Sequence, residues 1–591
     1  MVTSVTFGNI NTSGGRTTVS GGQSGFDTEA LIKGLTEARR LPAVALEKRQ
    51  EQYAAQSSAF QEFKTLLTNF QSSADLLRRA PTVGSNDGNV FDYRVGSVRS
   101  NGGLTDGTAY VSATVTAGAN LQNYTINEVS QLARAKKQQS TPFVVSSATD
   151  TVVTTSAGPG YFEAGTFTLK GQVITLEEGD SLETVVAKFN AVSADSGIRA
   201  NILQTAPGEF SMIFTATATG LSANFDMSDP ASVDDPDGVL ANIGFSTVQN
   251  AQNAVFKIDS ITIERESNNI TDLIPGVTLT LKQETPVGLE LDFSVEPDTE
   301  AVTQVVTTFL ESYNELRLFL AKQTEITSSG SLAEDAVLGN NSALRSVING
   351  LTTELSRAVG GLVDGNLNKL ADIGVTFYDY EGDAETPRTR NLLTLDAAKL
   401  AGALEGKFDQ VQRMFEFNTS STIPDFQIFR RGNGLAVSEF SLNLDPANNV
   451  FKATYEVGGE TVTIDLKATA ITGGGWTLTA PDESALGGLQ MIYAGSAAVS
   501  GTVSVTQGIG DRIYNALNEA VKQDGGLITN EIDALKTREE RMKEEIARID
   551  EVVERYREQL IDRFSKLESA LASINTILQS LAAQADARNN A

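Results

Sequence analysis

Two long apolar stripes, one near each end of the chain, limit what it can fold into. From Tyr53 the apolar positions are Phe60, Phe63, Leu67, Phe70, Ala74 and Leu77, separated by 7, 3, 4, 3, 4 and 3 residues. Near the other end Leu535, Met542, Ile546, Ile549, Val553, Tyr556 and Leu560 run into Phe564, Leu567, Leu571, Ile574, Leu578 and Leu581 with the same threes and fours. That alternation is the repeat of a coiled-coil seam. Two consecutive steps of four, around Leu560, form a stutter that locally unwinds a supercoil. A helix with one narrow apolar seam is marginal alone, so each end offers the partner the other needs. Mixed charge fills the space between seam positions, as in Lys536, Arg538, Glu539, Glu540 and Arg541, and reads as a solvated coiled-coil face. From Ser569 the charge disappears while the Leu/Ile stripe continues, so the last turns are expected to be buried in an assembled state.

Between the stripes the pattern changes period. Asp27 reads as an N-cap for a helix bearing Leu31, Ile32 and Leu35, which Pro42 is expected to interrupt or restart. Alternation marks strands at 110–115, 124–129, 167–169, 172–176, 210–216, 255–263 and 277–283, with a short helix capped by Ser181 running through Phe189. Helical spacing returns at 299–325, 342–358 and 396–416, and helix resumes near Ile509 after a second β-rich stretch. The expected fold is therefore an α+β multidomain chain, its N- and C-terminal helices paired as a coiled-coil stalk with β-rich domains inserted between them. Expected boundaries are a flexible leader at 1–24, a helical leg at 25–80 and 509–591, a helical body at 81–118 and 296–417, β-rich head domains at 119–295, and a further β-rich insertion at 418–508. The surfaces expected to carry interaction are Leu31, Leu35, Phe60, Phe63, Leu67, Phe70, Phe564, Leu567, Leu571, Ile574, Leu578 and Leu581.

Composition narrows the chemistry. The chain has no Cys and no His, which removes disulfides, thiolate chemistry, histidine metal centres and the Ser-His-Asp triad. With 46 basic and 74 acidic residues the net charge is −28, which repels nucleic acid. The charge is uneven: residues 1–80 are net +2, residues 527–591 net −3, and 81–526 hold −27. Neutral ends can associate closely while an acidic body stays soluble. There is no apolar run of membrane-spanning length and no basic, apolar start of a cleavable signal, so if the protein leaves the cell another export route is expected.

Three groupings resemble chemical sites. Asp226, Asp229, Asp234, Asp235 and Asp237 before Gly238 lack the alternation and terminal Glu of a calcium loop, and read as a solvated Asp/Pro loop. Gly402 to Lys407 is one residue short of a phosphate loop, lacks the following Ser or Thr, and lies in a helical stretch. Glu177 and Glu178 sit in a turn without a companion group. None is an active site, so no catalytic residue, cofactor or metal is expected.

Several segments, in order, resemble the bacterial flagellar filament cap family, also called hook-associated protein 2. They are Gly25-Phe26-Asp27-Thr28-Glu29-Ala30-Leu31-Ile32, with Phe26 where Leu or Ile is usual; Ala117 to Ile126 ending at Gln131-Leu132-Ala133; Ala254 to Asp259 running into Asn268 to Leu281; Ile373-Gly374-Val375 followed by Leu393 to Asp396; and the C-terminal coil. The insertion departs from the shorter members. The resemblance implies an extracellular protein at the filament tip, exported unfolded through the flagellar channel. It implies a small self-associated ring, often a pentamer, with helical legs in the filament and β-rich domains as a plate that retains exported flagellin until it folds and inserts. An export chaperone is expected at the C-terminal helix. The competing readings are a flagellin-like or hook–filament junction subunit and a tip adhesin acting through the outer β domains.

Overall fold

The computed structural model describes residues 9–13, 16–20, 27–79, 88–100, 106–327, 329–360, 362, 367–383, 386–431 and 434–589. Among them the helices are α1 (Thr28–Asp75), α2 (Leu182–Ala191), α3 (Ser193–Ser196), α4 (Thr299–Gln323), α5 (Ser342–Ser356), α6 (Ala397–Phe415), α7 (Ile509–Val521) and α8 (Leu527–Asn589). The chain divides into two compact units, 88–302 and the remainder.

The first-to-last unit is a helical body with a β insertion. Asp27 caps α1, its Oδ1 accepting the Ala30 N–H at 2.9 Å. The helix runs unbroken through Pro42, where a break was expected. Pro42 is exposed, so the carbonyl that loses its partner faces water, and contacts to α8 at Arg39 and Arg40 hold the preceding turn. The seam of α1 is consumed inside the body. Phe60, Phe63, Leu67 and Phe70 are fully buried, with Phe63 stacked on Phe319 (centroids 5.6 Å) and Phe70 against Phe309 (4.8 Å) and Tyr313 (5.9 Å). Helix resumes at Ile509 as expected, then breaks between Val521 and Leu527, where Gly525 takes a left-handed φ of 80°.

The second β-rich stretch is built from strands running from Phe417–Ser421 to Val499–Gln507. Its strands form a five-stranded, a four-stranded and a small two-stranded sheet around one core that includes Phe440, Leu442, Phe451, Tyr455, Met491 and Tyr493. Phe417–Ser421 leaves directly from the end of α6, Val499–Gln507 leads directly into α7, and Phe417 pairs with Gln507. The two connections are thus the two sides of one antiparallel ladder.

The unit at 88–302 has two cores. In one, the sheet ordered Ile261–Arg265, Ala254–Ile258, Gln122–Gln131, Leu291–Pro297, Arg94–Ser100 packs on a three-stranded sheet of Asn269–Ile274, Val277–Leu281 and Val111–Val115. The other lies between Gln131 and Ala254 and packs α2, capped by Ser181 as expected, against strands that include Ile198–Ala206 and Glu209–Ala216.

Three expectations change. Residues 81–118 were grouped with the helical body, but Arg94–Ser100 and Val111–Val115 are strands whose Val98 and Val111 fill the β core; 81–87 and 101–105 lie outside the described residues. The single strand expected over 255–263 is a hairpin, because Asp259 and Ser260 both adopt positive φ (48° and 67°), the geometry of a two-residue turn. In the leader 1–24, Asn9–Ser13 pairs with Arg16–Ser20, and the rest of it, with Gly25 and Phe26, lies outside the described residues.

Candidate functional site: the terminal helices

Helices α1 and α8 pack together as an antiparallel pair. Lys64 Nζ donates to Thr529 Oγ1 at 3.0 Å, the Arg538 guanidinium carbon lies 6.0 Å from the Tyr53 ring centre, and Arg40 Nε donates to Asp550 Oδ1 at 2.7 Å. Arg39 lies over Tyr556 at 4.5 Å. Numbers fall on one helix as they rise on the other. Asp550, and next Glu47, raise the already high pKa of Arg40. These exposed pairs, screened by water, set register more than stability.

The pairing runs out where α1 begins. Beyond this point α8 continues alongside the strand Arg16–Ser20. On this stretch Glu568 is buried and Phe564, Leu571 and Asn575 are half-buried, while Leu567, Ile574, Leu578 and Leu581 are 48, 51, 56 and 54% exposed. A strict seven-residue repeat drifts by about 20° per heptad on a helix that does not supercoil. Phe564, Leu571 and Leu578 therefore step gradually off the covered face, and Leu567, Ile574 and Leu581 follow about 60° further round. The repeat would keep one face only against a partner helix, and the exposed run 569–585 contains no charged residue.

The twelve residues expected to mediate interaction therefore separate. Phe60, Phe63, Leu67 and Phe70 are a correction: they are core of the helical body, because α4 supplies the partner that the seam required. Leu31 and Leu35 near the start of α1 are 45 and 42% exposed and stand with the exposed residues of α8. Sequence reasoning missed Leu41 and Ile577, also exposed, because neither falls on a heptad position.

The other groupings are structural. Asp226 accepts from Gln138 Nε2 and the Ser228 N–H, Asp229 from the Ala231 N–H, Asp235 from the Val239 and Leu240 N–H groups, and Asp237 from the Thr166 N–H, all at 2.8–2.9 Å. Their carboxylates are spent on shaping turns. Gly402 to Lys407 lies inside α6, which kinks at Lys407. Glu177 pairs with Lys188 at 3.8 Å, and Glu178 accepts from Thr155.

The profile of the flagellar hook-associated protein 2 C-terminus matches residues 251–576, more than half of the chain, and that of its N-terminus matches 24–136. The chain belongs to the flagellar hook-associated protein 2 family. It is a structural protein of the flagellar filament cap, and this sets aside the flagellin-like reading. The A-type flagellar hook-associated protein 2 of Pseudomonas aeruginosa is 26% identical over 431 residues, covering 68% of this chain and 81% of its own length. That of Escherichia coli K12 is 26% identical over 396 residues, covering 65 and 76%. The crystal structure of the D1–D2–D3 domains of the flagellar cap protein FliD from Escherichia coli is 22% identical, covers 60% of this chain and 89% of its own, and has a TM-score of 0.40. Among the described residues no helix is long and apolar enough to cross a membrane.

Proposed function

We propose that this cap protein works as a small closed ring, a pentamer, at the distal tip of the filament, outside the cell. Its paired terminal helices are legs that dock on filament subunits, and its β-rich units are a cover that holds exported flagellin until it folds and inserts. The chain reaches the tip through the flagellar export channel, and a chaperone covers the end of α8 before release. The observation that carries this reading is the charge-free, half-exposed apolar edge of α8, with its unused coiled-coil repeat.

Burying each such side chain against a filament helix is worth roughly 1.5–3 kcal/mol before ordering costs. Several shallow contacts of this kind hold a leg and still let it re-dock as the tip advances. The test is Leu571→Asp with Leu578→Asp, and separately Ile574→Asp with Leu578→Asp, in cells that otherwise lack the protein. Flagellin is expected to be lost to the medium and filaments to be absent, with the far-ultraviolet dichroism of the purified chain unchanged. Filaments of normal length from both variants would refute the docking role of α8.

A further inference from the structure

The base of the insertion is tied to the helical body by charges buried away from water. Arg431, on the insertion, reaches Asp511 in the first turn of α7, and both side chains are almost fully buried. The Arg431 guanidinium also lies over the Phe417 ring at 4.9 Å. Beside it Arg78, just past α1, lies 3.5 Å from the Tyr514 ring centre and pairs with Asp75 at 2.5 Å. Arg512 pairs with Glu354 at 3.2 Å and donates to the carbonyls of Glu354, Arg357 and Ala358. Glu416, the last residue before the insertion, is buried and accepts from Arg79 at 3.0 Å, while its carbonyl accepts the Gly508 N–H at 2.9 Å. A side chain at Gly508 would overlap the Phe415 carbonyl, with Cβ 2.3 Å from its oxygen. Burial pushes the Asp511 carboxyl up, and Arg431, Arg78 and Arg512 pull it back.

A buried ion pair is a poor source of net stability, since apolar residues of similar size pack as well, yet breaking one half is costly. Its value lies in geometry: a desolvated carboxylate accepts only arrangements that bring its guanidinium to it. With one two-stranded ladder as the sole covalent route, the insertion has a natural pivot at Glu416–Phe417 and Gln507–Gly508. We propose that Arg431 and Asp511 form a docking lock that fixes the inserted β domain in one orientation on the helical body, so that the two move as one piece. Neither core depends on the lock, since the insertion has its own.

Hydrogen exchange on the full-length chain tests this. In Asp511→Asn and in Arg431→Met, exchange at the Gly508 amide, which bonds across the pivot to the Glu416 carbonyl, should rise roughly a hundredfold. Amides of the paired strands Glu439–Asp445 and Val450–Val457 should keep their protection, and emission from Trp476, packed on Phe451 at 4.9 Å, should not shift. Arg431→Met combined with Asp511→Leu should restore slow exchange at the pivot. Unchanged exchange in both single variants would overturn the lock, as would loss of protection throughout the insertion or the helical body. Failure of the double variant to recover would overturn it too, because the pair would then be holding the fold rather than the orientation.

Discussion

Two residues show what local chemistry decides on its own. Gly508 precedes α7 with an ordinary extended backbone, so its need for glycine is spatial: a Cβ would sit 2.2 Å from the Phe415 carbonyl carbon. Gly508→Ala is expected to cost about 1–3 kcal/mol, since backbone must shift to make room, read from denaturant unfolding of the full chain. Asp226 is held below its ordinary value of 3.8 first by the Gln138 amide and then by the Ser228 N–H, against an opposing push from burial. Because the folded value is the depressed one, its contribution is present above the unfolded value and is lost as the pH falls through the folded one. Protection of the Ser228 amide, corrected for intrinsic rate, should therefore weaken only as the pH falls below 3.8 in the natural chain and stay level in Asp226→Asn. The Asp/Pro loop was legible as a loop from composition, but which amides its carboxylates serve was not, because Gln138 and Thr166 are distant in sequence.

At the scale of elements, the two halves of the apolar repeat do different work, and mutation should separate them. Phe63→Ala removes a ring stacked on Phe319 in a closed core and should cost about 3–5 kcal/mol in unfolding free energy, with helix lost in parallel. Ile574→Asp removes a half-exposed side chain and should leave unfolding within about 0.5 kcal/mol of the natural chain while weakening assembly. The heptads made both stripes visible in the sequence. They did not distinguish a seam closed within the chain from one left exposed on it, because periodicity reports that an apolar face exists and not what covers it. Likewise the strand pattern over 255–263 hid a turn, since Asp259 and Ser260 interrupt the alternation without the glycine that usually announces positive φ.

For the whole molecule, the ladder at Phe417 and Gln507 brings the two ends of the insertion to within about 5.5 Å, the spacing of paired strands. Deleting 418–506 and joining the ends through a short glycine turn should leave the helical body folded, judged by cooperative loss of helix on heating. Sedimentation of the natural chain over a concentration series should show a discrete small oligomer, lost when 527–591 are removed. Mass that keeps growing would mean an open polymer instead of a ring.

The sequence alone determined the helix–β–helix–β–helix order, the two heptad stripes and the near-neutral ends on an acidic body, because each depends on residues close together in the chain. Tertiary structure decided that α4 fills the seam of α1, that 94–115 joins the β core, and that one carboxylate beneath the insertion, Asp511, has Arg431 and Arg78 brought near it from distant segments. Those outcomes depend on which surfaces meet, and residues hundreds of positions apart exclude water from one another only once the chain has folded.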